Sequence, residues 1–152
     1  MKIDVSGKVA IVSGSTAGIG LGISQALAQS GATVVVIGRE SGKVDDALAS
    51  IRQAVPGADL RGLVADLGTA QGAEKLFAAE PRADILVSNL GIFNDMDFFD
   101  APDSEWTRFY EVNVISGVRL ARHYVPGIIA GRRSALCQAL PGIKRVSMLC
   151  VP

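Results

Sequence analysis

The residues Ser13-Gly14-Ser15-Thr16-Ala17-Gly18-Ile19-Gly20 hold three glycines, with three residues between the first two and one before the third. Glycine accepts positive φ and lets a ligand lie against bare backbone. A helix beginning at such a turn offers unpaired N–H groups and a positive dipole end to a phosphate or pyrophosphate. A structural corner with no ligand is the competing reading of a lone glycine triplet. Arg39 is the next candidate, since a guanidinium pairs bidentately with phosphate, against the alternative of a solvated loop charge. His123, the single histidine, has no evident Ser or Cys partner and reads as a helix-surface or interface residue. Asp95, Asp97, Asp100 and Asp103 are metal-ligand types, but acids strung along a loop before a helix read as solvated or capping, so no metal is expected. Phe93, Phe98 and Phe99 in the same loop read as packing residues under it. Cys137 and Cys150 are too few for a disulfide framework or a zinc site.

The segments that must position the turn alternate in kind. Residues 8–13 form a short apolar run leading into the glycines, and 19–30 show helical spacing closed by Gly31. Residues 33–37 are β-branched and too short for a helix. Val44, Leu48, Ile51 and Val55 then repeat at helical intervals until Pro56-Gly57. A third strand over 60–65, a third helix over 70–79 and a fourth strand over 84–88 follow. A long helix starts near Asp103, with Asp103 or Ser104 as N-cap, and runs through Trp106, Phe109, Val112 and Leu120 toward Pro126. Apolar strands alternating with helices predict an α/β fold, a Rossmann-type doubly wound parallel sheet with right-handed crossovers.

The glycine spacing, with Ile19 before the third glycine, resembles the T-G-x-x-x-G-I-G motif of the short-chain dehydrogenase/reductase family. Three further segments in the same order resemble that family: Val64-Ala65-Asp66-Leu67, Ser88-Asn89-Leu90-Gly91 and Glu111-Val112-Asn113-Val114. Together they cover residues 6–131 and imply the strand order 3-2-1-4. By that resemblance Gly14, Ser15, Thr16, Gly18, Ile19 and Gly20 hold the cofactor phosphates. Asp66 and Leu67 contact adenine, Asn89 and Gly91 steady the sheet beside the cofactor, and Asn113 positions a water in a proton relay. Each segment also has a plainer reading. Asp66 can cap a strand end, Asn89 can form a turn, and Asn113 can face solvent from a helix.

Family members that prefer NAD carry an acid at the end of the second strand, to bind the ribose 2′-hydroxyl. Gly38 stands there, and Arg39 follows it, an arrangement that implies NADP, with NAD less favoured. Ala17 is not basic, unlike its counterpart in many NADP-dependent relatives.

The resemblance also implies a Ser after a fifth strand and a Tyr-x-x-x-Lys on the next helix, to orient the carbonyl and exchange its proton. Tyr110 is followed at i+4 by Val114 and Tyr124 by Ile128, so neither tyrosine has that lysine. No fifth strand is read after Arg132. All fifteen acids lie at or before Glu111, whereas six of the fifteen basic residues and both cysteines come after it. A shifted reading frame produces such a composition. The expectation is therefore a Rossmann unit over 1–131 and an atypical basic tail over 132–152, a truncated and inactive form of an oxidoreductase acting on a small carbonyl or alcohol. A noncatalytic dinucleotide-binding or interaction module is the alternative, and a longer-chain epimerase or dehydratase is disfavoured by the glycine spacing. Without a fifth strand, residues 85–87 become an open sheet edge and part of the long helix's apolar face is bared, so self-association is expected.

The chain's 152 residues suit one domain, and 49% hydrophobic with 20% charged residues suits a folded one. A formal net charge of zero argues against nucleic acid, because the basic residues after Glu111 form no run with interleaved aromatics. No apolar stretch approaches a membrane span and the start lacks a signal-peptide core, so the expected setting is cytoplasmic, with no membrane partner.

Overall fold

The computed structural model describes residues 3–131, 135–138 and 147–150. Strands β1 (Val9–Val12), β2 (Thr33–Gly38), β3 (Leu60–Val64) and β4 (Ile85–Ser88) alternate with helices α1 (Gly18–Gln29), α2 (Ser41–Ala54) and α3 (Ala70–Ala79). All four strands run parallel in the order β3-β2-β1-β4, as the alternation required.

Two further strands correct the expectation of an open edge. β5 (Ala135–Gln138) pairs parallel with β4, placing Leu136 opposite Leu86, and β6 (Ser147–Cys150) pairs antiparallel with β5. The order is therefore β3-β2-β1-β4-β5-β6. The segment 135–138 escaped the sequence reading because four residues bounded by Arg-Arg-Ser and Ala-Leu lack the β-branched signature of the earlier strands. The rest of the tail expected over 132–152 lies outside the described residues.

Period-two alternation divides the strand side chains between two faces. Ala10, Val12, Val34 and Val36 pack with Ala28 of α1 and Val44, Ala47 and Ile51 of α2. Ile11, Val35, Ile37 and Leu86 pack on the other face, with Leu76 of α3 and with Leu120, Tyr124 and Ile128. Those three belong to a continuous helical stretch made of α4 (Asp103–Tyr110), a π-helical turn (Glu111–Ile115) and α5 (Ser116–Ala130). Leu120 is fully buried, so the sheet covers this part of the helix that was expected to be bare, while Phe109 and Val112 are half-buried. Pro102, not Asp103 or Ser104, occupies the N-cap position, and its side chain makes no cap hydrogen bond. Pro126 lies within α5, which continues to Ala130. No helix among the described residues is long and apolar enough to cross a membrane.

Candidate functional site

The C-terminal ends of β1, β2, β3 and β4 meet on one edge of the sheet, where the loops bearing Gly14, Arg39, Asp66 and Asn89 come together. Gly14 and Gly18 have φ of +64° and +54°, values that side chains strain to adopt. Gly20 is held for another reason. A Cβ there would collide with the Gly14 carbonyl oxygen and come within 2.6 Å of Asn89 Nδ2. The turn is thus closed onto the start of α1 as tightly as bare backbone permits. Ala17 gives α1 no side-chain cap and no acid lies in its first turn, so its first N–H groups remain available to an anion.

Asn89 joins this turn to β4. Its Nδ2 donates to the carbonyls of Ser13 (3.1 Å) and Gly14 (3.2 Å). Ser13 Oγ in turn accepts from the N–H groups of Asn89 and Leu90, both at 2.9 Å. Asn89 is therefore more than a turn former, because its side chain braces the glycine corner itself. Ser13 and its buried hydroxyl were missed as functional candidates; a Ser immediately before the first glycine was the available signal. Ser15 is fully buried, and its Oγ accepts from Ile37 N–H at 2.8 Å, tying the turn to β2. The Ser15 hydroxyl faces the core. Thr16 is half-buried beside Gly38, and Ile19 is 74% exposed on the first turn of α1.

Gly14, Thr16, Gly38, Arg39, Asp66 and Leu67 all line one small cleft of ≈ 140 Å³. Arg39 is exposed at its mouth, and no ion pair fixes its guanidinium among the described residues. A side chain at Gly38 would meet Thr16 Cγ2 at 2.5 Å and Val44 Cγ2 at 3.1 Å, so the packing around that position favours glycine. Arg39 and Asp66 also line an adjoining cleft of ≈ 480 Å³ that extends past Gly91 and Ile92 to Glu111 and Val112. Asp66 Oδ1 accepts from Gly68 N–H at 3.0 Å, the capping role open to it, while Leu67 turns its side chain into the core.

The π-helical turn carries Asn113 to this edge. Its Oδ1 accepts from Ile92 N–H at 2.7 Å and its Nδ2 donates to Ile92 O at 3.0 Å. Asn113 is half-buried, and both ends of its amide engage the chain just after Gly91. Arg119 supports the same region, donating to Glu111 Oε2 at 2.8 Å and to Gly68 O at 3.2 Å.

A sequence model of the short chain dehydrogenases matches residues 8–137. The chain belongs to the short chain dehydrogenase family. It is 47% identical over 129 residues to the uncharacterized oxidoreductase YvaG of Bacillus subtilis, covering 85% of this chain and 49% of that protein. The structure of L-sorbose reductase from Gluconobacter frateurii, complexed with NADPH and L-sorbose, superposes with a TM-score of 0.82 at 32% identity, over 91% of this chain and 54% of that one. A 7 alpha-hydroxysteroid dehydrogenase complexed with NADH and 7-oxo glycochenodeoxycholic acid superposes with a TM-score of 0.78 at 28% identity, covering 90% and 54%. This dehydrogenase chain thus spans about half the length of the relatives it matches. The family match reaches Cys137, past Arg132, where the atypical tail was expected to begin.

The remaining chemistry-bearing side chains of this dehydrogenase chain lie away from the cleft. Tyr124 is buried, donates to Glu80 O at 2.7 Å, and is held well above the ordinary phenol range by burial and by Glu80. Such a hydroxyl is a structural donor. His123 stacks on Phe77 with ring centroids 3.9 Å apart, at the opposite end of the strands beside Pro81. Asp97 accepts from Phe99 N–H at 2.9 Å, and no cluster of three His, Cys, Asp or Glu side chains suited to a metal occurs among the described residues. Phe93, Phe98 and Phe99 are 86%, 69% and 91% exposed, not buried under their loop as expected.

Proposed function

We propose that this chain is the cofactor-binding portion of an NADP-dependent short-chain oxidoreductase, a class that moves a hydride between a nicotinamide and a carbonyl or alcohol carbon. The observation that carries the reading is the closure at Gly20. A corner that excludes even a methyl group, braced by Asn89 and ending at an uncapped helix start, fits a pyrophosphate and has no evident structural need for such tightness.

The residues present fit the dinucleotide. Gly14, Ser15, Thr16, Gly18, Ile19 and Gly20 would receive the phosphates, largely through backbone, with Ser15 acting by holding the turn to β2. Asp66 and Leu67 would flank the adenine, with Gly91 along the other wall of the cleft. Arg39 would pair with a 2′-phosphate, where no acid opposes it at Gly38. When bound, the nicotinamide supplies or accepts the hydride. Asn113 and Asn89 act as positioning residues, one pinning Ile92 and the other pinning the glycine turn.

These 152 residues hold no Tyr-x-x-x-Lys, so the proton donor and the lysine that lowers its pKa are missing from the chain as it stands. We expect it to bind nucleotide and to show no turnover with generic ketones or alcohols, and the module reading describes the same polypeptide if nothing completes it. Self-association is also proposed, now on different grounds. β5 covers the edge of β4, but Tyr110, Val114 and Val118 recur along one exposed stretch of the long helix, each 41% exposed or more. We expect the cytoplasm as its setting.

Calorimetric titration with NADP⁺ and NAD⁺ tests the assignment. NADP⁺ should bind tighter, and Arg39→Asp should abolish or reverse the preference. An unchanged ratio removes Arg39 from the site, and no binding of either nucleotide refutes the function.

A further inference from the structure

Beyond Ile92 a third cleft of ≈ 390 Å³ continues from the one that reaches Asp66, and Ile92 lines both. Its wall is Ile92, Phe93, Met96, Phe98, Trp106 and Phe109, and no charged side chain lines it. Asp95, Asp97 and Asp100 belong to the same loop yet stay out of the lining. The aromatic wall is ordered by contact, with Phe98 edge-on to Trp106 at a centroid separation of 5.9 Å and edge-on to Phe99 at 5.4 Å.

Two polar side chains, Asn94 and Asn113, border the cleft, against seven apolar ones. Asn113 engages one N–H and one oxygen lone pair on the Ile92 main chain, which fixes its amide plane. Asn94 donates one N–H to Glu105 Oε1 at 3.4 Å and keeps its second N–H and its carbonyl oxygen, so a few hydroxyl partners remain. A polyhydroxylated ligand would bring several hydroxyl groups and find few partners, and each buried unpaired group costs about 1–3 kcal/mol. An apolar group of one ring or a short alkyl chain loses nothing there and gains by leaving water. The volume lies within the range of small-molecule sites, and so does the predominance of apolar lining.

We propose that this cleft receives the apolar aryl or alkyl portion of the carbonyl or alcohol substrate, and that the site discriminates against sugars and other polyols. The inference deepens the oxidoreductase reading and rests on it for the substrate's reacting group. It differs in substrate class from L-sorbose reductase, whose solved complex holds a sugar.

Trp106 is the single tryptophan and stands in the cleft wall, so its emission reports occupancy. The 152-residue chain is titrated with acetophenone and, separately, with sorbitol, with saturation-transfer NMR as a second readout. Acetophenone should shift the Trp106 emission saturably and sorbitol should not. Met96→Asp, at a side chain exposed enough to spare the fold, should weaken acetophenone by about tenfold or more, because it sets a carboxylate against the ring. Adenosine 2′,5′-bisphosphate, titrated in parallel, should bind both proteins equally. Acetophenone indifferent to Met96→Asp, or sorbitol binding as tightly, overturns the proposal. So does a dimer by light scattering whose Trp106 is already shielded and does not respond to acetophenone. Loss of adenosine 2′,5′-bisphosphate binding alone, with the acetophenone response intact, refutes the cofactor reading instead.

Discussion

Replacing Gly20 by alanine should damage the protein far more than one methyl group in a helix normally does. The added carbon would strike the Gly14 carbonyl oxygen and approach Asn89 Nδ2 to 2.6 Å. Overpacking at a rigid site costs about 1–3 kcal/mol. Relief requires moving Asn89, which breaks its bonds to Ser13 O and Gly14 O, each contributing about 0.5–1.5 kcal/mol. Helix propensity returns about 0.5–1 kcal/mol. The net loss is about 1–5.5 kcal/mol, a large share of the roughly 5–15 kcal/mol typical of a domain. Gly22 is the control two residues along α1, since a Cβ there meets nothing within 4 Å. Gly22→Ala should stabilise by about 0.5–1 kcal/mol. Urea unfolding of both variants, with NADP⁺ affinity measured alongside, decides the matter. A Gly20→Ala protein as stable as Gly22→Ala, with wild-type affinity, would refute the argument that this corner is closed to side chains.

Leu120→Ala should cost about 2–5 kcal/mol by opening a cavity among Ile11, Leu86 and Tyr124, read from the urea midpoint at constant m. Asn113→Ala should cost about 1–3 kcal/mol by orphaning the Ile92 N–H and C=O, with faster hydrogen exchange at Ile92 as its specific mark. At Asp84, burial pushes the carboxyl pKa up, but the Val9 N–H and Lys8 outweigh it and hold the group below the ordinary carboxylate range. A depressed folded-state pKa gives stability that is present above the unfolded value near 4 and lost as pH falls through the folded one. Asp84→Asn should therefore flatten the stability curve below about pH 4, as followed by thermal melts across pH.

The strand and helix pattern was legible because β1, β2 and β4 are buried on both faces. Thr33 to Ile37 reads as an unbroken β-branched run since α1 and α2 cover one side of β2 and the second core covers the other. Long periodic helices were readable for the same reason, and α3 falls on the expected residues. Where one residue's side chain serves another's backbone, the sequence said less. Ser15 was placed by its motif, but its hydroxyl bonds Ile37, a partner twenty-two positions away. The commitment of Asn113 to Ile92 likewise depends on the π-helical turn, which wedges one extra residue into the helix and leaves no signature in residue types. β5 was unreadable because its position is set by pairing to β4, and the local residues carry little preference of their own. The exposed phenylalanines were misread as packing residues, since composition alone does not distinguish a loop that covers a core from one that lines a cleft.

The central claim is that a dinucleotide lies across the C-terminal edge of the sheet, from the glycine turn to Arg39 and Asp66. Amide chemical-shift mapping of the 152-residue chain with NADP⁺ tests it most directly. The account predicts saturable shifts concentrated at Gly14 to Gly20, Arg39, Leu67 and Gly91, with the residues at the other end of the strands, Pro81's neighbours Arg82 and His123 among them, unmoved. Shifts centred on Arg82 and His123, or none at saturating nucleotide in a folded protein, would contradict it.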